Sequence, residues 1–390
     1  MATARISPAL NALLGRRTMA HLSSRPSLAI IDDYLNTSAP HFTHIPSERL
    51  QINTFNDSIT PSNDAELARL VERLQPYDLI STVRERTAFP GSLLRQLPNL
   101  KLLLATGTQF ETFDLPTAKE LGIAVVAAPG LGRTDQLASD PPRQNIKKGG
   151  AHPTTQHTWA LILALARNVA VDDAALKHKR RWQSGLAMGL TGLTLGIVGL
   201  GRLGAAVARI GHLAWGMRVV CWSENLTQEK ADRMAAEVGL ASNDGIQGEK
   251  TFRLVSKEDL FRSADVVSIH YVLSDRSRGI VGAKELQLMK SSALLVNASR
   301  GPLIDQAGLV DALEHGKIRG AALDVFDIEP LPLSSPWRRD NYWGQDGRSY
   351  LLTTPHMGYV DEGLMNAWYA ETAENVELWL EGNEVLNRIA

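Results

Sequence analysis

The segment TLGIVGLGRLG, residues 194–204, is an apolar run that ends in three glycines spaced G-x-G-x-x-G. An apolar helical pattern, AAVARIGHLA (205–214), follows at once. Strand, tight turn and helix in this order make a dinucleotide-binding fingerprint. Gly199 permits the turn, Gly201 lets backbone approach a pyrophosphate, and Gly204 lets the helix close on the strand. Amides from Arg202, Leu203 and the rest of the first helical turn then face the anion. A purely structural glycine turn is the competing reading, and the strand and helix on either side argue against it.

The next strand ends GMRVVCWSEN (216–225), where an acid that selects the unphosphorylated ribose is expected. Ser223 stands there instead. Its hydroxyl can bond a ribose but makes no charge-based choice against a 2′-phosphate, whereas Glu224 repels one and no arginine adjoins it. NAD(H) is therefore favoured and NADP(H) stays open; Ser223 and Glu224 as plain strand-end residues is the bland alternative.

Outward from this unit, ADVVSIHY (264–271), ALLVNAS (293–299), GAALDVF (320–326) and YLLTTP (350–355) read as further strands. EKADRMAAEVG, AKELQLMK and QAGLVDALEHG read as the helices between them, and a last helix covers about 362–381. Upstream, SLAIIDDY (27–34), YDLISTV (77–83), LKLLLATG (100–107) and IAVVAAPG (123–130) alternate with helical patterns at 62–74, 92–97 and 115–121. The alternation predicts a smaller α/β unit with a largely parallel sheet. TTQHTWALILALARNVAVDDAALKHKRRW (154–182) supplies the start of a long helix with an apolar stripe, which Thr154 or Thr155 caps. Residues 131–152, polar and broken by Gly and Pro, read as an exposed loop.

Composition narrows the function classes. The chain has 390 residues, 44% apolar, enough for two or three domains. A net charge of −1 argues against a broad nucleic-acid surface. One cysteine, Cys221, excludes an internal disulfide framework and a thiolate metal cluster, and it fits a reducing compartment. No apolar run is long enough to cross a bilayer. Residues 1–26 are basic, with Arg5, Arg16, Arg17 and Arg25 and no acid. They read as a floppy tail or as an organelle presequence, so the expected location is cytoplasmic with the mitochondrial matrix as the alternative.

Three loops carry the chemistry: NASRGPLID (297–305), ALDVFDIEPLP (322–332) and TTPHMGY (353–359). Each follows a strand of the glycine-turn unit, and loops at the carboxyl ends of parallel strands converge on the cofactor crevice. Reducing a 2-oxo acid needs a hydride at the carbonyl carbon and a proton at its oxygen. His356 suits the proton, Glu329 suits a partner that orients the ring and favours imidazolium, and Arg300 supplies a fork for carboxylate and carbonyl. Ala298 and His270 are candidate cofactor contacts. The bland alternatives are an Arg300–Asp305 pair, solvated Asp324 and Glu329, a surface His356 and a structural His270.

These motifs, in this order, resemble the D-isomer-specific 2-hydroxyacid dehydrogenase family over about residues 28–386. The resemblance implies two Rossmann-like parallel-sheet α/β domains with an active-site cleft between them. It implies a substrate domain in two parts, 27–153 and 359–390, around an NAD(P) domain at 154–358. It makes Arg300 substrate-binding, His356 the acid/base with Glu329 its partner, and Asp324 a nicotinamide contact. ATGTQFETFD (105–114) corresponds to the substrate-carboxylate loop, with Gly107, Thr108 and Gln109 as contacts; Gln109 departs from the glycine common there. The implied function is reversible reduction of a small 2-oxo acid, such as glyoxylate or hydroxypyruvate, to a D-2-hydroxy acid by a homodimer. An NAD(H)-sensing corepressor-like protein and a phosphoglycerate-type dehydrogenase are the alternatives.

Overall fold

The computed structural model describes residues 25–61, 63–84, 86–108, 110–131, 152–179, 182–243 and 248–390. The basic extension before residue 25, Gln109 and nearly all of the polar loop at 131–152 lie outside these. Two compact units divide the described chain, one holding residues 25–131 and 362–390, the other 152–361.

In the first unit β1 (Ser27–Ile30), β2 (Gln51–Thr54), α1 (Asp64–Leu74), β3 (Leu79–Thr82), α2 (Gly91–Leu94), β4 (Leu102–Thr106), α3 (Leu115–Glu120) and β5 (Ala124–Ala128) alternate. The strands form a wholly parallel sheet ordered β2-β1-β3-β4-β5. β3 and β4 are buried along their whole length, which explains why they are continuous apolar runs with no alternation. β2 escaped the sequence reading. It is an edge strand with sequence QINT and no buried residue, so it carries no apolar signal.

The second unit opens with α4 (Pro153–Ala166) and α5 (Val169–Ala174). Two expectations are corrected here. The cap of α4 is His152, whose Nδ1 accepts from Thr154 N at 3.2 Å, and not Thr154 or Thr155; Pro153 starts the helix because its missing N–H has no partner to lose. The long helix also breaks at Asn168, which takes the left-handed conformation (φ 56°). Next come β6 (Thr194–Val198), α6 (Arg202–Trp215), β7 (Arg218–Trp222), α7 (Gln228–Glu237), β8 (Phe252–Leu254), α8 (Lys257–Ser263), β9 (Val266–Ile269), α9 (Ala283–Leu288), β10 (Leu294–Asn297), α10 (Gln306–Glu314), β11 (Gly320–Leu323) and β12 (Tyr350–Thr353).

Their sheet is wholly parallel and ordered β12-β11-β10-β9-β6-β7-β8, the doubly wound arrangement whose order reverses between β6 and β9. Register runs from Leu195 opposite Val266 to Val198 opposite Ile269. The edge strand β8 was also missed from sequence; it buries Phe252, but three residues are too few to show a period. Period-two alternation sorts the core. Leu195, Ile197, Leu294 and Val296 pack with Trp159 and Ile162 of α4 on one face. Val198 and Leu295 pack with Leu260, Phe261, Leu309 and Leu313 on the other. Each such fully buried side chain contributes about 1.5–3 kcal/mol of transfer free energy. α11 (Glu362–Leu380) belongs to the first unit and packs on β4 and β5. The segment 387–390 then bonds along β5, with Ala127 N donating to Asn387 O at 3.1 Å.

Candidate active site

At the reversal point of the larger sheet, Gly199 ends β6 with φ 98°, and its N–H donates to Trp222 O at 2.9 Å. A Cβ there would stand 2.6 Å from His270 O, so only glycine lets the β6 and β9 ends meet so closely. A Cβ on Gly204 would stand 2.2 Å from Gly199 O, which is the contact that lets α6 close on the turn. Gly201 differs: it is exposed, and a Cβ there would meet nothing within 4 Å. The turn is thus closed on its protein side and open outward, in front of the amides of α6. Arg202 is exposed at the first turn of α6 with Leu203 half-buried beside it. That cradle fits a dinucleotide pyrophosphate.

Ser223 Oγ accepts from Leu200 N at 3.1 Å, so the side chain that replaces the expected acid turns toward the glycine loop. The exposed Glu224 is tied by its backbone, its N–H donating to Tyr271 Oη at 3.2 Å. Tyr271 stacks on Trp222 with centroids 5.9 Å apart. His270 bonds Ser268 Oγ through Nε2 at 2.8 Å, and loss of hydration pushes it down to about 4, so its ring is neutral at pH 7. Ala298 is buried next to Ser299, whose Oγ donates to Tyr271 O.

The three chemical loops leave β10, β11 and β12, which are adjacent in the sheet. Asn297, fully buried, accepts from Ser299 N and donates to Arg300 O at 2.9 Å, fixing the bend that carries Arg300. The half-buried Arg300 guanidinium donates to Ser299 O. Gly301 lies against the next loop so tightly that a Cβ would stand 2.1 Å from Phe326 C. Phe326 N in turn donates to Glu329 Oε1 at 2.9 Å. Glu329 Oε2 accepts from His356 Nδ1 at 2.5 Å. The Tyr359 ring meets the His356 imidazole edge-on with centroids 5.3 Å apart.

His356 has φ 55°, a conformation in which a side chain is strained, and Asp324 holds it there. Asp324 O accepts from His356 N at 2.7 Å, Oδ1 from Met357 N at 2.7 Å, and Oδ2 from Gly358 N at 2.9 Å. Asp324 is fully buried. Burial pushes its carboxyl up, but the hydrogen bonds from His157, Thr354 and Met357 outweigh this and leave it below the usual carboxylate range. The expected nicotinamide contact thus spends its carboxylate on the turn that bears His356.

Sequence reasoning missed Gly301, His157, Thr354 and Tyr359. All four stood inside quoted stretches, but a close backbone approach and an edge-on ring leave no spacing signal. In the first unit Gly107 ends β4 with φ 81° and donates its N–H to Ala128 O at 2.7 Å; Thr108 follows it. Among the described residues no group of three His, Cys, Asp or Glu side chains forms a metal site, and no helix is long and apolar enough to cross a membrane.

Fold and glycine turn together define a dinucleotide-binding protein of the doubly wound class. The chain belongs to the D-isomer specific 2-hydroxyacid dehydrogenase family: the model of that family's NAD-binding domain matches residues 159–358. It is 36% identical over 278 residues to a glyoxylate reductase of Aeropyrum pernix, covering 67% of this chain and 72% of that one. It is 28% identical to a D-3-phosphoglycerate dehydrogenase of Bacillus subtilis over 86% of this chain, which spans 57% of that relative's length. A phosphoglycerate oxidoreductase from Vibrio cholerae superposes with a TM-score of 0.71 at 30% identity, over 91% of this chain and 99% of that one.

Proposed function

We propose that this protein reduces a compact 2-oxo acid, glyoxylate or hydroxypyruvate, to its D-2-hydroxy acid with NADH. The observation that carries the proposal is the 2.5 Å contact between His356 Nδ1 and Glu329, set at the ends of adjacent strands of a dinucleotide-binding sheet. Bound NADH supplies the hydride. Because Nδ1 donates to Glu329, Nε2 is the atom of His356 left to give a proton to the carbonyl oxygen and to take it back in the reverse direction. Glu329 and the Tyr359 edge hold the ring in that orientation. Arg300 anchors the substrate carboxylate and polarises the carbonyl. The carboxylate role of Gly107, Thr108 and Gln109, and a homodimeric assembly, remain parts of the proposal.

NADH is the favoured cofactor because Ser223 and Glu224 offer no cation to a 2′-phosphate. The similarity to glyoxylate reductase supports the substrate class, whereas the phosphoglycerate-oxidising relatives favour a second reading, oxidation of 3-phosphoglycerate. One experiment separates them: initial rates with NADH and NADPH across glyoxylate, hydroxypyruvate, pyruvate and branched 2-oxo acids, and with 3-phosphoglycerate and NAD, with product handedness measured. Arg300→Ala should raise KM for the preferred acid about 10- to 100-fold, the worth of one charged hydrogen-bonded contact. Intact NADH binding with no turnover of any of these acids refutes the proposal and supports an NAD(H)-sensing regulator.

A further inference from the structure

His157 lies one turn into α4, a helix whose other inward residues serve packing. Its Nε2 stands 3.1 Å from Asp324 Oδ1 and 3.0 Å from Thr354 Oγ1. Thr354 Oγ1 itself donates to Asp324 Oδ1 at 2.6 Å. Its hydrogen is therefore spent, and both neighbours present lone pairs to His157. Nε2 must carry a proton, whatever the charge of the ring.

Asp324 is the hub on which the acid/base turn hangs. The N–H groups of His356, Met357 and Gly358 all end on it. A carboxylate this deeply buried persists in one place only when its lone pairs are satisfied. On Oδ1 the two contacts besides Met357 N come from His157 and Thr354, which also bond each other. α4 itself packs against β10, β11 and α6, so His157 ties the turn to the packed core of the larger sheet.

We infer that His157 is a positioning residue for proton transfer: by donating from Nε2 to Asp324 and Thr354 it holds the 354–358 turn in register, and with it the ring of His356. The inference rests on the reading of His356 as the acid/base group. The polar contacts of His157 end on Asp324 and Thr354 and not on the His356 ring, so its effect falls on turnover through geometry. A misplacement of about 1 Å in such a group costs up to about a hundredfold in rate.

Three variants test it. Gln places an amide N–H where His157 Nε2 lies, Asn places one where Nδ1 lies, and Ala removes the donor. At saturating NADH, His157→Ala and His157→Asn should lose about 10- to 100-fold in kcat on glyoxylate or the preferred 2-oxo acid. KM should move less than about threefold, since binding groups are untouched. NADH affinity, followed by fluorescence titration, should stay at the wild-type value. His157→Gln should recover most of kcat. Equal losses in Gln, Asn and Ala would show that packing alone is at stake, and wild-type kcat in all three would dismiss the role; either result overturns the inference. If the Ala variant fails to fold, the Gln-versus-Asn comparison decides.

His356→Ala, measured in parallel, keeps the two ideas apart. If that variant turns over like the wild type, or no 2-oxo acid is reduced, the acid/base reading has failed. Amide hydrogen exchange of segment 354–359 then judges His157 alone. Faster exchange in His157→Ala with protection restored in His157→Gln upholds the positioning claim, and unchanged exchange in His157→Ala rejects it.

Discussion

Gly301→Ala adds one methyl group where the structure has no room. The added Cβ would stand 2.1 Å from Phe326 C, 2.3 Å from Phe326 O and 2.6 Å from Asp327 N. Ordinary carbon–carbon contact is about 3.5 Å, so the two loops must part by about 1.4 Å. No rotamer relieves this, because every close atom is backbone. Overpacking of this kind costs about 1–3 kcal/mol of stability. The functional loss should be larger in proportion. The loop that must retreat carries Glu329, positioned through Phe326 N, and the loop it retreats from carries Arg300. A shift of that size in the groups proposed to act on the carbonyl should lower turnover on the order of a hundredfold. NADH affinity should change little, since the glycine turn at 199–204 lies at other strand ends of the sheet. Urea unfolding, steady-state kinetics on the preferred 2-oxo acid and NADH titration measure the three quantities. A Gly301→Ala protein with wild-type stability and turnover would show that the β10 and β11 loops do not meet as described.

Two further outcomes follow from the cofactor side. His270 titrates near 4 in the fold and at its ordinary 6.5 when unfolded, so below pH 6.5 the unfolded chain takes up a proton that the folded chain refuses. Its contribution is complete above pH 6.5 and lost progressively toward pH 4, about 3 kcal/mol at most for a partly exposed ring; urea midpoints of His270→Gln should fall less steeply across that window than wild-type midpoints, and parallel curves would refute the assignment. Ser223→Asp should weaken NADPH binding at least about tenfold while sparing NADH, through repulsion of the 2′-phosphate. Fluorescence titrations that show equal effects on both cofactors would place the ribose elsewhere.

The legible parts of this protein are those where one strand or one turn carries its own signal. The buried strands of the larger sheet are apolar runs because both faces are covered, and the G-x-G-x-x-G turn sits between a strand and a helix in a spacing the chain cannot disguise. The edge strands β2 and β8 gave no such signal, as QINT buries no residue and β8 has only three. The α4 cap was misread because threonine is the commoner capping residue, while here Pro153 starts the helix and His152 Nδ1 accepts the N–H.

Within the candidate site, residue type and placement after strands made Arg300, Glu329 and His356 candidates, because guanidinium, carboxylate and imidazole are what a carbonyl reduction asks for, and the family resemblance chose them over the bland readings. Their sequence order also placed them at strand ends. What local sequence could not supply was the left-handed turn at His356, or the convergence of His157 and Thr354 on Asp324. Those depend on which strands become neighbours, and parallel pairing joins residues far apart in the chain through non-directional burial that many orders could satisfy. Sequence settled the class of fold and the dinucleotide turn and named the chemical groups of the proposed site; tertiary structure decided which donors meet which acceptors, because a hydrogen bond needs a few tenths of an ångström that only the assembled sheet provides.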